Sequence, residues 1–288
     1  MTSSEAPLDA ESLRSALARR PGAGAIGSAI EYHPSLGSTN DRARKLADAG
    51  AAEGCVVVAG EQTRGRGRNG RTWHSAPGLG LYLSVLLMPA GRMLSQAPIL
   101  GLMAAVAGAE SLSGICGAAV GIKWPNDLIA LEGTGRRRKL GGILSEARGA
   151  AGALRDVIIG IGVNVGHRES DFPEEIVERA GSIRMLRGST VPPLHVALAM
   201  LAALDDWYTL WSREGSDRVL DRYRALAPDL SGRRVRVADG GAPWTGITDG
   251  VTSEGALRIM PETAGGAGEP GPAAQIVRYG EIHRLEEA

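Results

Sequence analysis

The chain of 288 residues has one phenylalanine, two cysteines and no net charge, and each shortage removes a class of explanation. With aromatic residues at only 4 %, the core has to be filled by aliphatic side chains and alanine rather than by rings. Cys55 and Cys116 sit in apolar surroundings without CxxC or histidine spacing. Buried reduced thiols in a cytoplasmic protein are expected rather than a disulfide framework or a thiolate metal site. His33, His74, His167, His195 and His283 show no ligand spacing, so no dedicated metal site is expected. With 32 Lys plus Arg against 32 Asp plus Glu, the chain lacks the basic excess usual in a nucleic-acid domain. The first twenty residues mix Asp9, Glu11, Arg14, Arg19 and Arg20 with small residues and lack the apolar centre of a signal peptide. The apolar stretch Pro98 to Gly108, bracketed by Gln96 and Glu110, is too short for a comfortable membrane span and predicts a buried helix.

What is present is glycine, 41 residues of it, and a run of arginines spaced by it: Gly65-Arg66-Gly67-Arg68-Asn69-Gly70-Arg71-Thr72-Trp73. Glycine reaches backbone conformations that free N–H groups to point inward, and guanidinium groups donate in pairs to carboxylate or phosphate. An anion site, with phosphate chemistry first, is the sharpest reading. A disordered nucleic-acid-binding segment and a solvated surface loop are the alternatives. The run is short and lies between apolar segments, which weakens the former.

Length and 43 % hydrophobic content allow one large domain, or one large and one small. Residues 8–20 predict a short amphipathic helix, and Ala43, Leu46 and Ala47 a second, for which Ser38, Thr39 or Asn40 is a candidate N-cap. Cys55–Ala59, Leu81–Met88, Ala119–Ile122, Leu128–Leu131 and Asp156–Val165 read as strands, with the arginine loop joining the first two. A charged hairpin, Arg136-Arg137-Arg138-Lys139, leads into Leu140-Gly141-Gly142-Ile143-Leu144-Ser145-Glu146. Helices are predicted over about 96–112, 194–211 and 217–226. This order predicts an α+β fold, a mixed sheet with flanking helices. From Ser231 on, short extended pieces between Gly-rich turns predict a small β-barrel-like second domain, with 6 Arg against 8 Asp plus Glu. Pro261–Pro272 reads as a flexible Gly/Pro loop.

Ser38-Thr39-Asn40, Gln62 with Gly65–Trp73, Lys123-Trp124-Pro125-Asn126-Asp127, Lys139–Glu146 and Gly160-Ile161-Gly162-Val163-Asn164 occur in an order that resembles the biotin protein ligases over about 35–285. The resemblance implies a class II synthetase-like catalytic domain followed by a small SH3-like barrel. It divides the chain into a short N-terminal extension at 1–34, a catalytic domain at 35–230 and a C-terminal domain at 231–288. Since only about 35 residues precede the Ser-Thr-Asn segment, it is to the shorter type without an N-terminal winged helix, and DNA binding is expected to be absent. A homodimer is compatible with it; a membrane role is not expected.

The implied reaction has two steps, with biotin and ATP as substrates and Mg2+ accompanying ATP. Biotin is activated as biotinyl-5'-adenylate and then passed to a lysine of a biotin carboxyl carrier domain. By the same resemblance Ser38, Thr39, Asn40 and Gln62 hold the polar head of biotin. Gly65, Arg66, Arg68, Arg71 and Trp73 form the loop over biotin and the phosphates. Lys139 bridges the two reacting anions, Gly141 and Gly142 let the backbone approach, and Asn126 and Asn164 lie around the adenylate. Lys123 and Asp127 lie where the acceptor amine arrives, with Asp127 as candidate proton acceptor. Helix capping by Ser38 or Thr39, core packing by Trp73, a plain hairpin at Gly141-Gly142, a solvated Lys139 and ordinary turn roles for Asn126 and Asp127 stay open as alternatives. Two departures are the turn lengthened by Gly133–Arg138 and Gly141 in place of an equally expected alanine. A lipoate protein ligase and an Arg/Gly nucleic-acid-binding protein are the competing readings.

Overall fold

The structure is a computed structural model that describes residues 7–20, 22, 24–131, 137–238, 241–262 and 273–278, and the backbone of 281–284. Seven strands form the main sheet: β1 (Ile30–His33), β2 (Val56–Ala59), β3 (Gly80–Leu87), β4 (Val120–Lys123), β5 (Asp127–Leu131), β6 (Arg137–Ala150) and β7 (Ala153–Asn164). Their order is β1-β2-β3-β7-β6-β5-β4. β1 and β2 pair in parallel and every other neighbour is antiparallel. The one parallel pair is the pair joined by a helical crossover, α2 (Thr39–Asp48), as a parallel connection requires. β3 is buried along its whole length, which explains why Gly80-Leu-Tyr-Leu-Ser-Val-Leu-Leu87 reads as continuous apolar chain rather than an alternating strand.

Helices cover both faces. On one, α2 packs its Ala43 against Val57, Leu86 and Ile158. On the other lie α1 (Ala10–Leu17), α3 (Ala97–Cys116), α5 (Pro193–Glu214) and α6 (Asp217–Leu226), around a larger aliphatic core that includes Leu83, Val85, Ile159, Ile161 and Val163. α3 is the apolar helix predicted from sequence, extended to Cys116 and ended by Gly117 in the left-handed conformation, φ 63°. With its lead-in turn it is long and apolar enough to cross a membrane, yet its sides are covered by α5, α6 and the sheet. Cys55 and Cys116 are buried and unbonded to each other, and burial raises both thiol pKa values.

A second, five-stranded antiparallel sheet follows: β8 (Ser231–Ala238), β9 (Trp244–Val251), β10 (Leu257–Pro261), β11 (Gln275–Val277) and β12 (Glu281–Arg284), ordered β11-β10-β9-β8-β12. Its Thr252–Ala256 turn docks on the first unit. Trp124 Nε1 donates to the Gly255 carbonyl at 3.3 Å, and a Cβ on Gly255 would lie 2.6 Å from Leu102. Sequence patterning missed β1, β12 and the five-residue helix α4 (Ile183–Arg187). The tip of the charged hairpin and most of the Gly/Pro loop, 132–136 and 263–272, lie outside the described residues.

Candidate active site

Alternation along β6 and β7 sets Gly142, Leu144 and Glu146, and Ile158, Gly160 and Gly162, on the face that α2 covers. Over this face opens a cavity of about 470 Å³, within the roughly 300–1,000 Å³ usual for small-molecule sites. Gly142, Gly160 and Gly162 form part of its floor, and at the last two side chains from above come down to the backbone. A Cβ on Gly160 would lie 2.2 Å from Asn40 Oδ1, and one on Gly162 2.7 Å from the Trp73 ring.

One end of the cavity is polar and uncharged. Ser38, Thr39 and Asn40, at the start of α2, are all buried. Ser38 is the N-cap residue by backbone position, but its side chain makes no capping bond and lines the cavity instead. The Thr39 N–H donates to Gln62 Oε1 at 2.9 Å. Ser84 Oγ lies 2.8 Å from the Thr39 hydroxyl and 2.6 Å from Asn40 Oδ1. The Thr39 hydroxyl also lies 3.1 Å from Gln62 Oε1, so the two hydroxyl protons are shared among the amide oxygens of Asn40 and Gln62 and the contact between the hydroxyls themselves. Asn40 Nδ2 in turn donates to Glu146 at 2.7 Å, which fixes which way the amide faces.

The other end carries charge. The arginine loop closes on itself: Trp73 N–H donates to Gly65 O at 3.0 Å and Gly67 N–H to Arg71 O at 2.7 Å. Asn69 and Gly70 at its tip are left-handed, φ 56° and 73°. Arg66 Nη1 donates to both oxygens of Asp41 at 2.8 Å, and this hydrogen-bonded partner raises the guanidinium pKa further. Arg68 reaches across the mouth, its guanidinium carbon 6.0 Å from the Trp124 ring centre. Lys139 Nζ lies 2.6 Å from Asp127 and 5.3 Å from the Trp73 ring centre.

Lys139 reaches the cavity through an irregularity. Gly141 and Ile143 face the α3 core, so strict alternation would send Lys139 there too. The register between β5 and β6 slips between Leu128 and Ile129, however: Gly141 pairs with Leu128 and Lys139 with Ile129. Leu140 takes the extra core position at 1 % exposure, and Lys139 is turned over the cavity. The Lys123–Asp127 turn is braced from behind by Tyr223 of α6, whose hydroxyl donates to Pro125 O at 3.0 Å. Burial raises the Tyr223 pKa far enough to keep that proton in place.

Ser38, Thr39, Asn40, Gln62, Arg66, Arg68, Arg71, Trp73, Lys123, Asn126, Asp127, Lys139, Gly142 and Asn164 all line this one cavity. Gly65 and Gly141 do not. Gly65 sits at the base of the loop, where a Cβ would lie 2.7 Å from Trp73 O. Gly141 is one residue out of phase with Gly142, and its Cβ would point to Gly162 O, Leu128 and Val163 on the far face. The Asn126 and Asn164 side-chain nitrogens are spent on backbone, donating to Ile143 O at 2.6 Å and Gly181 O at 2.9 Å. Sequence reasoning passed over Ser84, whose signal is a lone hydroxyl in an apolar strand. It also passed over Arg137 and Asp229, which pair at the cavity wall across 92 residues and leave no local signal.

Residues 32–164 match the model of the biotin/lipoate A/B protein ligase family. The bifunctional ligase/repressor BirA of Bacillus subtilis is 34 % identical over 234 residues, 81 % of this chain and 70 % of that protein. The biotin--[acetyl-CoA-carboxylase] ligase of Mycobacterium tuberculosis is 32 % identical over 261 residues, 87 % and 89 % of the two chains. Among solved structures, the biotin protein ligase of Aquifex aeolicus in complex with biotin and ATP superposes with a TM-score of 0.70 at 27 % identity, over 90 % of this chain and 99 % of that one. The fold is that of a ligase that joins a small acid to protein. The chain belongs to the biotin/lipoate A/B protein ligase family.

Proposed function

We propose that the chain is an ATP-dependent biotin protein ligase, which activates biotin as biotinyl-5'-adenylate and transfers it to a lysine of a biotin carboxyl carrier domain. The observation that carries this reading is the division of one cavity. A buried network of Thr39, Asn40, Gln62 and Ser84 suits a neutral polar head such as a ureido group, and it shares its walls with Arg66, Arg68, Arg71 and Lys139. In the first step a biotin carboxylate oxygen attacks the α-phosphorus of MgATP and the bond to pyrophosphate breaks. At about 4 Å and an effective dielectric near 20, two unit charges repel by roughly 4 kcal/mol, so the step needs fixed cations. Lys139, held by Asp127, and the loop arginines supply them.

In the second step the acceptor amine attacks the biotinyl carbonyl carbon and AMP leaves. A lysine with a pKa of about 10.4 arrives mostly protonated, and Asp127 is the carboxylate placed to orient it or take its proton. Arg68 across the mouth shields the mixed anhydride from water. This reading divides the chain at 1–34, 35–230 and 231–288, closes the small sheet as an SH3-like barrel, and sets the enzyme in the cytoplasm, in keeping with its free buried thiols. Neither DNA nor a membrane is part of it.

The test is pyrophosphate release by the purified chain with MgATP and either biotin or lipoate, followed by label transfer to a carrier domain. Release with biotin in the absence of acceptor is expected. Release with lipoate alone moves the assignment to the other branch of the family. Salt-dependent polynucleotide binding with no turnover of ATP would favour the nucleic-acid reading instead.

A further inference from the structure

Glu146 stands just outside the cavity, half-buried on β6, and Asn40 and Arg44 of α2 and Arg66 of the arginine loop converge on its carboxylate. Asn40 Nδ2 donates to Oε2 at 2.7 Å, Arg44 reaches the same oxygen at 3.1 Å, and Arg66 lies 3.5 Å from Oε1. Asn40 belongs to the neutral network at one end of the cavity, Arg66 to the base of the arginine loop at the other. One carboxylate is therefore the shared partner of both ends. No other side chain among the described residues holds Asn40 and Arg66 together, and Asp41, the other partner of Arg66, bonds only the loop.

We infer that Glu146 is a positioning residue that ties the acid-binding end of the cavity to the arginine loop. Its two oxygens divide the work. Oε2 fixes the Asn40 amide so that its oxygen faces Ser84, and Oε1 draws the loop base toward the sheet. A buried amide that accepts from a hydroxyl and donates to a carboxylate has both its faces satisfied, so its orientation is set before any ligand arrives. An arginine at the loop base shared between Asp41 and Glu146 is held by two carboxylates from two elements, which limits how far the loop can swing. A change in the hold on Asn40 is thereby felt at Arg66 through a single side chain.

The inference rests on the biotin ligase assignment for its kinetic part and is independent of it for its structural part. Trypsin cleavage after Arg68 and Arg71 in the full, unliganded chain, mapped by mass spectrometry, reports loop opening whatever the substrate. Glu146→Ala should speed that cleavage about three-fold, the effect of a lost half-exposed ion pair. It should also raise the KM for biotin about ten-fold with a smaller change in kcat, as Asn40 loses a charged partner. Asp41→Asn should speed cleavage at least as much while raising that KM less, by about three-fold. Should Glu146→Ala fail to fold, Glu146→Gln keeps the volume and one acceptor, and faster cleavage is expected from it too. Wild-type cleavage in a folded Glu146 variant overturns the inference. So does a Glu146→Ala chain with faster cleavage and an unchanged KM for biotin, because the carboxylate would then serve the loop alone. Absence of pyrophosphate release by the wild-type chain overturns the assignment instead and leaves the cleavage comparison standing.

Discussion

At one end of the cavity Ser38, Thr39 and Asn40 are 4, 3 and 2 % exposed, and Ser84, Thr39 and Gln62 bond one another without formal charge. At the other, the side chains of Lys139, Asp127 and Arg66 are 35, 27 and 37 % exposed and paired as ions. The first arrangement is buried and, at Thr39, Asn40, Gln62 and Ser84, bonded within itself; the second keeps water at hand. Burying a polar network is tolerable only when each donor and acceptor is matched, so the neutral end has to be prepared before the ligand comes. Charges left half in water avoid most of that desolvation cost and can exchange partners when substrate anions arrive. The neutral end is thus suited to selection of the acid and the charged end to its reaction.

Lys139→Ala should break this division most severely. Adenylate formation is expected to fall about 10²–10³-fold, the usual effect of removing one preorganised donor from a developing charge, with a much smaller change in biotin binding. Pyrophosphate release and equilibrium binding of labelled biotin, measured side by side, decide it. Equal losses in both would make Lys139 a ground-state ligand and blur the two ends. Ser84→Ala acts at the other end and should do the reverse: the KM for biotin rises about ten-fold through an unsatisfied Asn40 oxygen, with kcat nearly unchanged. A fall in kcat alone would remove the selective role of the neutral network.

Arg68→Gly sharpens the comparison at the mouth. The loop lies outside the aliphatic core, so the chain should fold, but biotinyl-adenylate should escape and label bystander lysines. The ratio of biotin on an unrelated protein to biotin on the carrier domain should rise several-fold; an unchanged ratio with adenylate still formed would leave Arg68 a ligand only. The smallest effect is expected at His167, buried behind the wall and stacked on Phe172 with ring centres 4.8 Å apart. Burial first, and the neighbouring His74 second, lower its pKa to about 4. A folded pKa below the unfolded value of 6.5 means that the unfolded chain binds the proton more tightly. Stability is then full above about pH 6.5 and declines as pH falls toward 4. Melting temperature should drop by a few degrees between pH 7 and pH 5, and by less in His167→Gln. Parallel profiles would show that other groups carry the acid sensitivity.

Much of this site could be read in the chain, and what could not has identifiable causes. Ser38-Thr39-Asn40, the arginine run and the Lys123–Asp127 turn are local signals, each written in consecutive residues, and all three meet in one cavity. The central strands and the long helices followed from hydrophobic patterning in the same way. Lys139 was reached by resemblance, not by period. Counting along β6 sends it to the core, and only the slip at Leu140, which depends on how β5 pairs, turns it outward. Gly141 lies off the cavity for a different reason: two adjacent glycines look alike in sequence and fall on opposite faces of a regular strand. Asp229 and Arg137 meet across 92 residues, a contact that no window of sequence contains. β1 escaped notice because four residues, Ile30-Glu-Tyr-His33, carry too little pattern to stand out without a neighbouring strand.

The apolar helix α3 has a further consequence, which concerns time rather than geometry. Its covering partners β4, β6, β7, α5 and α6 all come later in the chain. At about 5–20 residues per second, the roughly 110 residues from Cys116 to Leu226 take on the order of 5–20 s to be synthesised. Throughout that wait a 20-residue helix with the length and hydropathy of a membrane segment leaves the ribosome without its cover. Nascent chains stalled beyond Cys116 should therefore crosslink to chaperones or membrane-targeting factors that read exposed apolar helices, and chains stalled with α6 fully emerged should not. The burial that makes α3 harmless in the folded chain is complete only long after the helix itself has been made.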